Sequence, residues 1–455
     1  MKITHIIPFF LPDKIAGSEI YCWSLCKYLQ SIGVTCEILT PNYGSEKTVE
    51  YVYDDIRVIK YAEPTRATRF LQMGLTLPKG INAFRDHLIN SKPNCVHFHG
   101  LYGSVGITVE HINIAKSLGI ATLYTMHLAG NVCITNTLFY KQKQLCDGII
   151  RPRRCSACLL VHLNKREWLA EFFASVSSLL YQSGIDTAHL NNPLGTGFSL
   201  ANRIGDMRKN LDKIAQYCDK VVVPAKWFRE VLIANGFPQG KIEYVQQALP
   251  LFKNRPLELQ PLKFNQRRSV KLVFAGRISS FKGLDILLEA LGSFPPEKVE
   301  LSIFGQHDGD EYYQKCLNLS KDKPNIHWRG VLPHEEVLGA FRQHDALCLP
   351  STFSEMAPLV IQEAFAAGIP VIASEVYGNL EMITPEENGL LFSFRSVEDL
   401  RSKLARIIDN TFLLSSMKNR VKRPIPFEKL GQDYVELYQK ISAGMAKLNF
   451  NNISG

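Results

Sequence analysis

Short apolar runs alternate with amphipathic stretches along nearly the whole chain. Met1–Pro8 reads as a first strand, followed by a loop with Pro12 and Gly17. A helix is predicted over Ser18–Ser31, because Cys22, Leu25, Cys26, Leu29 and Ile32 recur at helical period. Val34–Thr40 is the next predicted strand. Others follow at Ile56–Tyr61, Cys95–Phe98, Ile120–Thr125, Lys220–Val223 and Ile242–Val245. Strands alternating with helical segments argue for a parallel sheet covered on both faces.

Residues 246–266 lack periodicity and read as a linker. The alternation then restarts. Strands are predicted at Val270–Ala275, Glu300–Phe304, Ile326–Arg329, Ala346–Leu349 and Ile369–Ala373. Helices are predicted at Gly283–Leu291, Asp310–Lys321, Glu335–His344 and Leu359–Ala367. A last amphipathic segment, about Phe427 to Ile441, follows Pro424 and Pro426, and the tail from Phe450 is expected to fray.

At 455 residues the chain exceeds what one hydrophobic core usually serves. The expected fold class is α/β, with two Rossmann-like doubly wound domains facing across a cleft. The expected division is 1–250, 251–425 and a C-terminal helix at 426–445. Ligands bind such sheets at the carboxyl ends of the strands, so the cleft is the expected site.

Composition narrows the class. Hydrophobic residues are 46% and charged residues 21%, which excludes a disordered or collagen-like chain. No run of 18 apolar residues appears, and the N-terminus lacks a signal-peptide pattern, so a cytoplasmic location is expected. The net charge of +9 is uneven: residues 1–250 hold 27 Lys and Arg against 19 Asp and Glu. That half favours an anionic partner. No nucleic-acid module is present, and aromatics do not interleave with a basic stripe, so nucleic-acid binding is not expected.

Eleven cysteines without a secretion signal argue against a disulfide framework. Seven are scattered in apolar segments and read as core. Four cluster as Cys133-x12-Cys146-x8-Cys155-x2-Cys158, in an insertion near 129–160. They suit a structural zinc, free thiols or a conditional disulfide, or a redox or iron–sulfur role. Asp308-Gly-Asp310 has the form of a metal–nucleotide motif, but its place after Phe304-Gly305 reads better as a helix start.

Two constellations carry candidate chemistry. Gly276-Arg277 ends a strand, and Lys282-Gly283 precedes a helix, so Arg277 and Lys282 can converge on a diphosphate. Glu355 lies on a loop after the strand ending at Leu349, and Glu363 lies in the next helix. Carboxylates accept from sugar and ribose hydroxyls. The N–H groups of Ala357, Leu359 and Val360, near Met356, can meet phosphate or hydroxyl oxygens at the helix start. In the first half, Gly17, His99 and His127 follow strand ends.

Over 270–392 the chain resembles the retaining glycosyltransferases of family four, which have the GT-B fold. The matching text is Gly276-Arg277 with Lys282-Gly283, Gly305, Gly330, Pro350-Ser351, Glu355-x7-Glu363, Gly368-x-Pro370, Gly378 with Glu381, and Asn388-Gly389. The resemblance implies a nucleoside diphosphate (UDP or GDP) sugar donor. It implies that Arg277 and Lys282 bind the diphosphate, Glu363 the ribose and Glu355 the sugar. No catalytic metal is expected, because cations and helix N-termini carry the diphosphate.

The N-terminal likeness is looser. Ala16-Gly17-Ser18-Glu19 stands where the family has Gly-Gly-x-Glu, and Gly17 can still offer its amide to the donor. Thr125-Met126-His127 matches a histidine that approaches the donor sugar, with Leu128 in place of an acid. Val96-His97-Phe98-His99-Gly100 matches a strand-end motif, giving His99 an acceptor-side role. Some members carry a cysteine-rich insertion similar to 133–158.

The expected function is transfer of a hexose with retention to a glycan or glycolipid hydroxyl, in polysaccharide or lipopolysaccharide synthesis. Peripheral contact with an anionic membrane, at the inner face of the plasma membrane, follows from the charge. The competing readings are a non-catalytic glycan- or membrane-binding relative and a Rossmann oxidoreductase. The latter is disfavoured because no Gly-x-Gly-x-x-Gly follows the first strand.

Overall fold

The computed structural model describes residues 1–65, 76–101, 106–190, 192–251 and 269–451. Most of the expected linker, and the last residues of the tail, lie outside the described residues. The chain divides into two units, Met1–Gln246 with Phe427–Gly455, and Gln247–Pro426.

The first unit is built on β1 (Lys2–Ile6), β2 (Thr35–Tyr43), β3 (Val49–Tyr53), β4 (Ile56–Glu63), β5 (Cys95–Phe98) and β6 (Ala121–Thr125). A separate small hairpin, β7 (Phe139–Tyr140) with β8 (Gln144–Leu145), is followed by β9 (Lys220–Val223) and β10 (Ile242–Tyr244). The sheet order is β10-β9-β6-β5-β1-β2-β4-β3. All neighbours are parallel except β3, which pairs antiparallel with β4 through a turn with Asp54 and Asp55 at positive φ. The middle strands are buried on both sides, which is why β5 and β6 carry no acidic or basic residue apart from the imidazole of His97. β3 is largely exposed, so its weak apolar signal escapes sequence reading.

The second unit has β11 (Val270–Ala275), β12 (Val299–Phe304), β13 (Ile326–Gly330), β14 (Ala346–Leu349), β15 (Val371–Ser374) and β16 (Gly389–Phe392). They are all parallel, in the order β13-β12-β11-β14-β15-β16. This is the doubly wound order, with its switch point between β11 and β14. Alternation splits β11 between two cores. Leu272 and Phe274 pack with Leu284, Leu287 and Leu288 of the helix Leu284–Leu291. Val273 packs with Ile361 and Ala364 of the helix Leu359–Ala367. Each such buried side chain contributes about 1.5–3 kcal/mol, so the central strand is anchored from both faces.

Two expectations are corrected and one layer is added. The segment Glu335–His344 is not one helix but a 3₁₀ turn, His334–Glu336, followed by the short helix Val337–Phe341. The strand predicted from Ile369 starts at Val371, because Pro370 supplies no N–H. The cysteine-rich insertion leads into a helical layer, Pro152–His162, Glu167–Gln182, Pro193–Phe198 and Leu200–Tyr217, that the sequence reading left out.

Candidate functional site

In the second unit the loops after β11 and β14 meet at the switch point. Thr352 N–H donates to Phe281 O at 2.8 Å, and Thr352 Oγ1 donates to Ser280 O at 2.7 Å. Gly283, at φ 67°, sits against Pro350 O so closely that any Cβ there would clash. These contacts bring together side chains 73 positions apart. Lys282 Nζ donates to Glu355 Oε1 at 2.6 Å, and Ser351 Oγ donates to the same oxygen at 2.6 Å. Glu355 is buried, 6% exposed, so the cation and the hydroxyl offset the cost of burying its charge. Lys282 Nζ also lies 5.1 Å from the Phe353 ring centroid.

Arg277, on the same loop as Lys282, is exposed. Gly276 N–H donates to Phe304 O at 3.0 Å, which holds the strand end against its neighbour. The helix Leu359–Ala367 starts after Pro358, so the amides of Leu359 and Val360 belong to its first turn. Ala357 and Met356 precede it, with Met356 buried. Gly378 presses on the carbonyls of Glu355 and Met356, where any side chain would clash.

Glu363 lies inside this helix and is largely buried. Burial pushes its carboxyl up to about 7. His334 Nδ1 lies 3.7 Å from Glu363 Oε1, and the ring's other nitrogen lies 3.0 Å from Leu251 O. Burial also lowers the His334 ring, so it is no firm counter-charge at neutral pH.

In the first unit the ends of β1, β5 and β6 carry a chain of imidazoles. His5 Nδ1 and His99 Nε2 are 2.9 Å apart, and His99 Nδ1 and His127 Nε2 are 3.2 Å apart. The register explains it: His5 pairs with His97, and His99 follows two residues later on the same face. His97 Nε2 lies 2.8 Å from Thr125 Oγ1, and His97 Nδ1 lies 2.7 Å from Tyr438 Oη. Tyr434 Oη meets Thr125 Oγ1 at 2.7 Å and receives Tyr21 O–H at 2.8 Å. Burial depresses His97 and His99 well below the usual histidine range and His127 to about 4, so all three rings are neutral at pH 7.

His99 is thus not at the surface, and both its ring nitrogens are taken. It lies between His5 and His127. Ala16 is the extended residue before the helix Gly17–Ser31, and Gly17 is its exposed first residue. Cys133, Cys146, Cys155 and Cys158 are half-buried, and the other seven cysteines are buried. Asp310 Oδ1 accepts from Tyr313 N–H at 2.9 Å, so the Asp308-Gly-Asp310 motif is a helix cap.

Residues 259–423 match the family described as glycosyl transferases group 1. The match falls within the second unit. The likeness to family-four glycosyltransferases read from its motifs holds. Sucrose-phosphate synthase from Thermosynechococcus elongatus superposes with a TM-score of 0.62 at 18% identity, over 97% of this chain and 99% of that one. Anabaena HepE in complex with UDP and glucose superposes with a TM-score of 0.61 at 12% identity, over 97% and 100%. The chain therefore has the GT-B fold. An uncharacterized 41.2 kDa protein in the cps region of Klebsiella pneumoniae is 26% identical over 43% of this chain and 53% of its own length. The chain spans about half to three-fifths of the length of such curated relatives.

Several site residues of the two units escaped sequence reading. Ser351 stands in a quoted motif, but its bond to Glu355 needs the folded loop. Buried Ser354 Oγ and Asn379 Oδ1 have no partner among the described residues, and they flank Glu355 and Gly378 in sequence. His5 sits inside an apolar strand, and Tyr434 and Tyr438 sit in a helix over 300 positions from the histidines. No local signal marks either.

Proposed function

We propose that the protein is a retaining glycosyltransferase. It moves a hexose from a nucleoside diphosphate sugar, of the UDP or GDP type, to a hydroxyl of a glycan or lipid-linked acceptor. The observation that carries this reading is the Lys282–Glu355–Ser351 cluster at the switch point of the second unit. Both bonds fall on Glu355 Oε1. Oε2 then serves a sugar hydroxyl, and Lys282 has two further N–H donors for a phosphate oxygen. Glu363, once ionised, accepts from ribose hydroxyls. HepE was solved with UDP and glucose, which supports a donor of this kind.

Bond breaking places negative charge on the departing diphosphate. Lys282, Arg277 and the amides of Leu359 and Val360 hold that charge, and a preorganised donor of this sort is worth about 10²–10³ in rate. A diphosphate oxygen takes the proton of the incoming hydroxyl, so the transfer occurs on one face of the sugar and keeps its configuration. Neutral His127 donates to the transferred sugar, and Gly17 offers its amide to the donor. No step requires a metal.

The first unit is proposed to bind a lipid-linked acceptor at an anionic membrane. Its helix Glu167–Gln182 buries small residues, Ala170, Ala174 and Ser177, and exposes large apolar ones. Trp168, Phe172 and Leu179 are 66%, 58% and 64% exposed and share one face. Exposed Lys165 and Arg166 precede them. Apolar groups beside cations suit a headgroup layer. Among the described residues no helix is long and apolar enough to cross a membrane. The relative in a cps region supports a role in polysaccharide synthesis.

The test is release of free nucleotide from UDP-, GDP- and ADP-sugars, with and without lipid-linked acceptors. One donor should turn over faster with acceptor present, and its product should keep the donor's anomeric configuration. An inverted product would overturn the retaining reading, and turnover of no donor would favour a non-catalytic relative.

A further inference from the structure

The cysteines of the insertion converge from three separate local structures. Cys133 follows the 3₁₀ turn Ala129–Asn131. Cys146 ends the hairpin of β7 and β8, and Cys155 and Cys158 lie one turn apart in the helix Pro152–His162. All four line one small, partly open cavity of about 20 Å³. That is room for a single ion or water.

Backbone donors point at the sulfurs. Lys141 N–H donates to Cys158 Sγ at 3.2 Å, and Arg151 N–H donates to Cys155 Sγ at 3.4 Å. The backbone of Gly148 faces Cys146 in the same way. The bonds in which the thiols donate are longer, 3.5 Å from Cys158 to Phe139 O and 3.9 Å from Cys155 to Ile149 O. Three of the four sulfurs thus each accept one backbone N–H, a contact that a thiolate also uses.

The chain around them is bent hard. Asn136, Leu138, Lys141 and Gln142 all have positive φ, between 51° and 60°. Four such non-glycine residues in seven persist only where the surroundings over-determine them. Two strands of two residues each are little to do that.

We propose that Cys133, Cys146, Cys155 and Cys158 bind one zinc ion as a tetrahedral four-thiolate site that holds the insertion in shape. Four Zn–S bonds form as four thiol protons leave to solvent. Soft thiolates select zinc over magnesium or calcium. The described side-chain groups whose ligand atoms all fall within 4.8 Å are elsewhere, His5–Cys22–His99 and His5–Cys26–Cys36. No three of the insertion's sulfurs lie that close to one another, so zinc binding has to draw them together. The two buried histidine groups would instead give a mixed nitrogen and sulfur shell, and that difference makes the site testable.

The full chain is expressed with added zinc, purified without oxygen, and assayed for metal. About one zinc per chain is expected, with X-ray absorption showing four sulfurs at about 2.3 Å and no nitrogen shell. The pair Cys155→Ser with Cys158→Ser should lose the zinc, and Cys26→Ser should keep it. Metal-free protein, a mixed nitrogen–sulfur shell, iron in place of zinc, or loss of zinc in Cys26→Ser would each overturn the proposal. The absorption measurement uses the unaltered chain, so it stands even if a variant does not fold.

Discussion

Lys282 Nζ and Ser351 Oγ both donate to Glu355 Oε1, each at 2.6 Å. The lysine is therefore already oriented, and its removal leaves a buried carboxylate without its cation. We expect Lys282→Ala to lower turnover at least tenfold, and about a hundredfold if it matches other preorganised donors. Ser351→Ala should cost less, because a neutral hydroxyl contributes about 0.5–1.5 kcal/mol. Steady-state kinetics on the folded variants checks this. Equal losses in both would show that the charge is not what matters.

Glu363 gives the pH dependence. Its carboxyl is raised from 4.5 to about 7 by burial. The folded state binds the extra proton, so this group's stabilising contribution is present below 4.5 and is lost as pH rises through about 7. Binding has the opposite sign, because only the ionised carboxylate accepts two ribose hydroxyls. Donor affinity should fall as pH drops below about 7, and Glu363→Gln should bind weakly with no such slope. Calorimetric titration from pH 5.5 to 8.5 reads both effects.

Buried His99 bridges His5 and His127. His5 Nε2 is buried without a partner among the described residues, and an orphan lone pair costs less than an orphan N–H. The imidazole chain then runs His5 Nδ1–H to His99 Nε2, and His99 Nδ1–H to His127 Nε2. His127 is left with its proton on Nδ1. Nitrogen-15 shifts should show that tautomer, and His99→Phe should abolish it. The same variant should lower kcat roughly tenfold with little change in donor KM, in the range for orienting partners. Unchanged kcat with an altered tautomer would separate His127 from the chemistry.

The exposed face of Glu167–Gln182 predicts membrane binding with two parts. Trp168→Ser with Phe172→Ser should weaken binding to anionic vesicles at all salt concentrations. Lys165→Gln with Arg166→Gln should reduce only the salt-sensitive part. Co-sedimentation measures both. Binding that ignores all four changes would remove this helix from the interface.

What sequence shows and hides here has a physical cause. β5 and β11 are buried on both faces, so they read as short runs that are apolar apart from His97 and Lys271, and their ends fall as expected. The loop after β11 then discloses Arg277 and Lys282, and the loop and helix after β14 disclose Glu355 and Glu363. The pattern hides Trp168 and Phe172, because a helix that exposes its large residues looks like one that buries them. It also hides His5 and Tyr438, whose meaning comes only from strand register and from the return of the C-terminal helix to the first unit. Lys282 and Glu355 looked like separate phosphate and sugar ligands; the loop bonds of Thr352 make them one pair.

The central claim is that the second unit grips a nucleoside diphosphate through Lys282 and Glu363. The most direct measurement is calorimetric binding of UDP, GDP and ADP to the full chain and to Lys282→Ala and Glu363→Ala. One nucleotide should bind the unaltered protein, and each substitution should weaken it at least tenfold. Binding of none of the three, or equal binding by all three proteins, would contradict the account.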